Sequence, residues 1–513
     1  MTTQIPQLHT PPQEISRSTL FAATPKAVKH ELQELPLGNI PTALQECTKL
    51  LSLLNRTQIA ISDRIGIMQS FDYSYRVFES YYRPSISIKY LRPKKATETA
   101  NLMQLKEEMA NGYKIILQES LNSRQGGRSL ATHIYMSLYY LSHCLLHCYD
   151  NFQQHPSYIW SEINQLYFLA ESRHLHQVTV GQVFEPVTAN TSSDLFKQIL
   201  MLEGANPYQL NSGEHWVLFN YLGHWSKYVM LDQQFESEGT DNAFMVDLNH
   251  ADKPFSNHSH QPPQSAELRL INSKKLISLV EQHIHSLSSG SSSTSIGMPA
   301  AINSEHAIDL LQKASQCWQQ LNYRQDLRIP VTAMAGIVWG IHSIHHLLTP
   351  STIETDPHNQ QKTTGKMMNE SHGGFCLRLS QSDLKNLYNG QVIATRSDRQ
   401  SHPHWILGIV RWQQNTPNSQ KLVGVEYIRG AIRPIKLCPQ DRPGPGDNYR
   451  SGLLVTQRNN GRQQHSVLAA SGVYNTGREM HLDVPQQGKQ YDVRASELLT
   501  RTPLIDRFSF QAA

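Results

Sequence analysis

The apolar residues of this 513-residue chain change their spacing once, near Asn322, and that change constrains the fold more than any composition figure. Before it they recur at intervals of three and four, the period of a helix face. After it they alternate, the period of a strand with one buried side. Such a chain builds an all-α part and then an all-β part, each with its own core. Length agrees, because a single core rarely grows past roughly 250–300 residues.

In the first part, Leu44, Cys47, Leu51 and Leu54 make one helical stripe, and Ile134, Leu138, Leu141 and Leu145 another. Ser62 offers an N-cap ahead of Ile65, Met68, Tyr75, Phe78 and Tyr82, with Pro84 closing that segment. Residues 97–121 read as a further helix, and 191–232 as two more around the break NPYQLNSG. The expected architecture is an N-terminal helical bundle or helical-repeat array, although no fixed 34-residue period is visible. Residues 1–40, with Pro6, Pro11, Pro12, Pro25 and Pro36, read as a flexible arm, and 41–284 as the helical domain. Within that domain FMVDL at 244–248 reads as a short strand and 268–284 as a helix. The Ser/Gly-rich stretch 285–300 reads as a linker and domain boundary.

Beyond it, Ala307, Leu310, Leu311, Ala314 and Trp318 build one lead-in helix. Then VTAMAGIVWGIHSI (331–344), GGFCLRL (373–379), QVIATR (391–396), HWILGIVRWQ (404–413) and LVGVEYI (422–428) read as strands. They predict a small antiparallel β-barrel within 301–440, followed by a β-rich extension over 441–513. The fold class is therefore multidomain α+β.

Charge narrows the function. Lys and Arg number 46 against 42 Asp and Glu, a net +4, too little for a general polyanion-binding field. A nucleic-acid polymer is disfavoured as partner. Six cysteines in 513 residues make no disulfide framework. The N-terminus has no basic segment leading into an apolar one, and the most apolar window, 131–149, carries His133, His143 and His147. A cytoplasmic protein without a membrane span is expected. No GxSxG, Walker-type loop or HExxH is present, so nothing points to an enzyme. Glu107–Glu108 reads as part of a solvated helix face. The run His143-Cys144-Leu145-Leu146-His147-Cys148 has metal-compatible spacing, but its apolar setting favours core packing. His342, His345 and His346, near the end of a predicted strand, would be split between its faces, so no metal is assigned.

Two short motifs carry the chemistry. Arg324 and Arg328 form an RxxxR just ahead of the first predicted strand, two planar forks able to grip phosphate oxygens or a guanine edge. RxxxR also occurs at Arg124/Arg128, Arg429/Arg433 and Arg458/Arg462, so the spacing alone says little. Asn369-Glu370-Ser371-His372-Gly373-Gly374, an NxSxxG, stands immediately before FCLRL. In this order, straddling the first two strands, the pair resembles the PilZ domain, a family that binds cyclic di-GMP. LVGVEYI resembles a late strand of that family, with Tyr427 where Phe is common.

The resemblance implies a cyclic di-GMP receptor with no catalytic residues and no cofactor. By that likeness Arg324 and Arg328 clamp phosphate and guanine, and Asn369 and Ser371 bond the guanine edge or ribose–phosphate. Gly373 and Gly374 let the backbone come close or adopt positive φ. Three departures stand out: Tyr323 precedes the RxxxR, the gap to Asn369 is long, and Asn369 replaces the commoner Asp. The implied output is regulation of a protein partner through the helical domain, in motility, adhesion or exopolysaccharide processes. The rival reading is an interaction adaptor whose barrel is degenerate and binds no nucleotide.

Overall fold

A computed structural model describes residues 6–16, 23–83, 96–123, 127–181, 189–233, 244–256, 265–320, 327–349, 362–380, 387–398, 404–416, 418–440, 449–459 and 462–513. The chain divides into two units. The first comprises 1–207 and 212–323, the second 208–211 and 324–513.

The first unit is helical: α1 Pro25–Gln33, α2 Ile40–Asn55, α3 Ile61–Tyr82, α4 Ala96–Asn122, α5 Arg128–Asp150, α6 Tyr158–Ser172, α7 Ser192–Gly204, α8 Glu214–Trp225, α9 Lys274–Ser288 and α10 Ser304–Gln320. Local chemistry sets several starts. Thr24 accepts from the Ala27 N–H with Pro25 in the first turn, and Thr191 accepts from the Asp194 N–H. Leu44, Cys47, Leu51 and Leu54 are all buried, as their spacing requires. The α3 helix begins at Ile61 behind Ala60, so Ser62 lies inside it and is not its cap. His143, Cys144, His147 and Cys148 are buried on α5, where Tyr75 Oη and His143 Nδ1 lie 2.6 Å apart. Glu108 is buried rather than solvated: its carboxylate accepts from Asn55 Nδ2 at 2.8 Å and Arg56 at 2.9 Å. Among the described residues no helix is long and apolar enough to cross a membrane.

Between α8 and α9 lies a four-stranded sheet of β1 Met230–Asp232, β2 Phe244–Asp247, β3 Phe255–Ser256 and β4 Leu268–Asn272, in the order β1-β4-β2-β3. The helix expected over 268–284 is thus a strand followed by a helix, the break falling at Ser273. The stretch 285–300 is also ordered. It finishes α9 and makes a 3₁₀ turn at Ser293–Ile296, where Ser293 Oγ donates to Ile302 O at 2.7 Å. Gly297, at φ +83°, ends that turn, and a Cβ there would strike the His224 ring. Division of the chain falls between 323 and 324 instead. The arm likewise docks: Leu8 is buried and Ile15 bridges Thr57.

The second unit holds two closed six-stranded barrels. The first is built from β5 Ile329–Trp339, β6 Lys362–Glu370, β7 Gly374–Ser380, β8 Val392–Ser397, β9 Ile406–Asn415 and β10 Gln420–Ile428, ordered β10-β7-β6-β5-β8-β9. Val331, Ala333, Ala335, Ile337, Leu377, Val410 and Val423 fill it. The second comprises β11 Ala431–Pro439, β12 Arg450–Asn459, β13 Arg462–Ala470, β14 Glu479–Val484, β15 Lys489–Arg501 and β16 Ile505–Ala512. Its first strand lies ahead of the expected boundary at 440. The strand expected over 331–344 stops at Trp339, where Gly340 at φ +85° turns the chain into α11 Ile341–Leu348, which carries His342, His345 and His346. Ile344 of α11 joins Val392, Leu407, Ile428, Leu453, Val455 and Leu468 in an apolar cluster shared by both barrels.

Candidate functional site

Register brings separate segments together at one end of the first barrel. Ile329 pairs with Glu370 and Pro330 with Asn369, so Arg328, one residue ahead of β5, stands beside the loop that follows β6. On the other side of that loop Gly374 pairs with Glu426 and Phe375 with Val425. Arg328 and the Asn369–Gly374 loop, far apart in sequence, thereby meet. Arg328, Asn369, Ser371, Gly373 and Gly374 line one cavity of about 180 Å³, together with Phe375, Arg411, Trp412, Gly424, Val425 and Glu426. Arg324 lies outside the described residues.

Irregular pairing concentrates at this end. Register shifts occur between Pro330 and Ala333, between Met367 and Asn369, and between Gly424 and Val425. A bulge adds a residue on one strand and re-aims side chains locally. On β9, Trp412 pairs with Gly424 and Val410 with Val425, which leaves Arg411 as the extra residue. Regular alternation would send Arg411 and Trp412 to opposite faces; the bulge lets both reach the cavity. A Cβ on Gly424 would come within 1.9 Å of the Trp412 ring, so this glycine makes room for the indole.

The loop is held by its own atoms. Ser371 donates to Gly374 O through its backbone N–H at 2.7 Å and its hydroxyl at 3.2 Å. The Tyr427 N–H donates to Gly373 O at 3.0 Å, and the Arg429 guanidinium donates to His372 O. Neither Gly373 nor Gly374 has positive φ, so left-handed backbone is not their reason. Close approach is the reason for Gly374, whose Cβ would lie 2.0 Å from Val425 O. Tyr427 packs 5.0 Å from Phe375, ring to ring, and its hydroxyl donates to Glu370 Oε1 at 2.6 Å. Burial, then the Glu370 bond, push its pKa up.

Electrostatics at the rim are mixed. Arg411 Nε donates to Glu426 Oε2 at 2.6 Å, a half-exposed ion pair. Burial raises the Cys376 thiol pKa while the Arg328 and Arg378 charges pull it down, which places positive potential under this wall. The arrangement offers planar cations, an amide, a hydroxyl and an indole around a small concavity. Such a set suits a flat heterocycle carrying phosphate. Sequence reasoning missed Arg411, Trp412 and Glu426. Their only signal was RW inside a strand, which alternation divides between two faces.

Comparison with known proteins agrees in domain order. Residues 26–236 match the family described as "Cyclic-di-GMP receptor FimW, N-terminal domain", 349–434 its "middle PilZ domain", and 435–513 the "FimW C-terminal beta-barrel domain". The middle match begins after Arg328 and β5, so the RxxxR lies ahead of the matched stretch. A relative, the cyclic-di-GMP receptor FimW of Pseudomonas aeruginosa, is 21% identical over 508 residues, covering 84% of this chain and 82% of its own. No solved structure matches. The chain is thus similar to FimW in its helical, middle and C-terminal parts, in the order of the three FimW domains, and its middle part carries the match to a PilZ domain.

Proposed function

We propose that this protein is a cyclic di-GMP receptor whose binding site is the bulged end of the first barrel. The observation that carries the reading is the convergence of Arg328 with Asn369, Ser371 and Gly374 on one cavity. Arg328, with Arg324 four residues upstream, grips a phosphate and a guanine edge through charge-assisted bonds. Asn369 and the Ser371 hydroxyl bond the guanine edge or the ribose–phosphate, and Trp412 supplies a face for stacking. At about 180 Å³ the cavity is below the roughly 300–1,000 Å³ of pockets that enclose a whole ligand. It therefore holds one guanosine half of the ligand.

That segment also joins the two units, because the chain divides between 323 and 324. Capture of both guanidinium groups at this junction passes binding on to the helical unit and its protein partner. The conformational step is tested by small-angle scattering, where identical curves with and without saturating ligand would refute it.

Titration calorimetry with cyclic di-GMP tests the site. Wild-type protein binds, and Arg328→Ala loses one charged hydrogen-bonding group, weakening affinity about 10- to 150-fold. Arg458→Ala and Arg462→Ala, on the second barrel, leave affinity unchanged. No heat with wild-type protein favours the adaptor reading.

A further inference from the structure

We propose that the helical unit contains a peptide-binding groove, occupied in cis by residues 6–16, which an extended segment of similar chemistry can enter in trans. The observation is a set of side chains that reads backbone. The Gln7 N–H donates to Gln165 Oε1 at 2.8 Å, and Leu8 O accepts from Gln118 Nε2 at 3.4 Å. The His9 N–H donates to Glu162 Oε1, and His9 O accepts from Lys114 Nζ at 2.5 Å. Two helices, α4 and α6, thus satisfy four backbone groups within three consecutive residues of the arm.

The two central readers are themselves an ion pair, Lys114 Nζ to Glu162 Oε2 at 2.8 Å, with side chains 1% and 2% exposed. A buried pair needs further hydrogen bonds to offset its lost hydration. Here the arm provides them: one backbone N–H for the carboxylate and one carbonyl for the ammonium. Core packing alone does not call for a buried Lys–Glu pair beneath a docked chain segment. A device that recognises peptide backbone does.

Side-chain contacts add selectivity. Leu8 is buried, the His9 ring stacks on Tyr158 with centroids 5.3 Å apart, and Thr10 Oγ1 donates to Gln118 Oε1 at 3.2 Å. Further along, Arg64 donates to Gln13 Oε1 at 2.8 Å, while Ile15 exchanges bonds with Arg56 O and the Gln58 N–H at 3.0 and 2.9 Å. The preferred ligand is accordingly an extended segment with a leucine-sized apolar residue, then a flat ring, then a hydroxyl. Every side chain of the groove belongs to the matched helical domain, whereas residues 6–16 precede it. The arm therefore has the standing of a tethered ligand, and its tether gives it a millimolar-range effective concentration against competitors.

The test uses the full chain and a fluorescein-labelled peptide of residues 6–16, read by anisotropy. A double change confined to the arm, Leu8→Asp with His9→Pro, removes the buried side chain and the N–H given to Glu162. The opened protein binds the peptide about tenfold or more tightly than wild type, whose groove is already filled. Adding Gln118→Ala and Gln165→Ala to the opened protein weakens the peptide again. Equal affinity of wild-type and opened proteins, or no binding to an opened protein with wild-type helical circular dichroism, overturns the proposal. So does loss of that dichroism on opening, because the arm would then be part of the core.

Discussion

Gly374→Ala isolates the physical reason for the last residue of the NxSxxG motif. The backbone there is ordinary, so strain from positive φ contributes nothing. The cost comes from the neighbouring strand: the new Cβ would sit 2.0 Å from Val425 O and 3.0 Å from Val425 C. Restoring an ordinary 3.4 Å contact requires about 1.4 Å of separation between β7 and β10. That exceeds what a ladder of Gly374↔Glu426 and Phe375↔Val425 pairs can absorb intact. Overpacking costs about 1–3 kcal/mol, and a weakened ladder bond about 1 more, giving roughly 2–4 kcal/mol. For a unit of this size, each kcal/mol lowers the melting temperature by about 2–4 °C, so the barrel transition drops roughly 4–16 °C in scanning calorimetry. Gly336→Ala on β5 is the matched control, since its Cβ would meet nothing closer than Trp405 at 3.7 Å, and it melts like wild type. A Gly374→Ala protein melting within about 2 °C of wild type, or a Gly336→Ala protein falling as far, would refute the close-approach argument.

Three further outcomes are each checked independently. Trp412→Ala weakens cyclic di-GMP binding by the value of one stacked base, about 1–3 kcal/mol, or roughly 5- to 150-fold by calorimetry; an unchanged affinity removes the indole from the site. Glu426→Gln takes a carboxylate off the rim and frees Arg411 from its 2.6 Å partner, so affinity for the dianionic ligand rises about 3- to 10-fold at low salt and less at high salt. Weaker binding would show that Glu426 itself bonds the ligand. In the helical unit, burial raises the Asp72 pKa to about 6 even though Tyr140 and Tyr113 donate to it at 2.5 and 2.7 Å. The folded protein keeps that proton up to about pH 6, whereas an unfolded chain releases it near 4, so this group's stabilisation is present below pH 4 and lost as pH rises through 6. Denaturant titrations of wild type and Asp72→Asn therefore diverge by on the order of 3 kcal/mol across that window, and parallel profiles would show that Asp72 is ionised throughout.

What the sequence disclosed followed from how far each signal reaches along the chain. Helix α4 was legible to within a residue or so at each end, because a long 3.6-residue pattern averages over many side chains. The second barrel was legible as β-rich but not as a barrel, since closure depends on which strands pair and not on any one strand's pattern. Composition misled at 285–300. Serines there satisfy one another and nearby carbonyls, as Ser286 and Ser291 do at 2.8 Å, and form a packed turn rather than a linker. A similar failure affects 331–344, where alternation continues in letters past Gly340 although that residue's left-handed backbone has already ended the strand.

The site shows the same limit more sharply. A motif reader finds Arg328 and Asn369–Gly374 because an RxxxR followed by an NxSxxG, in that order around two strands, resembles the PilZ signature. Arg411, Trp412 and Glu426 are ordinary strand residues until a bulge opposite Gly424 and Val425 turns two neighbours toward one concavity. Bulges are set by pairing between strands, so single-strand periodicity cannot contain them. Three register shifts fall on the strands around this loop, where a regular barrel would present alternating side chains and no recess. Departure from ideal pairing is thus what converts a barrel end into a place where cations, an amide and an indole converge. For a β-barrel of this kind, the irregular register is the better guide to the remaining cavity-lining residues than any further motif.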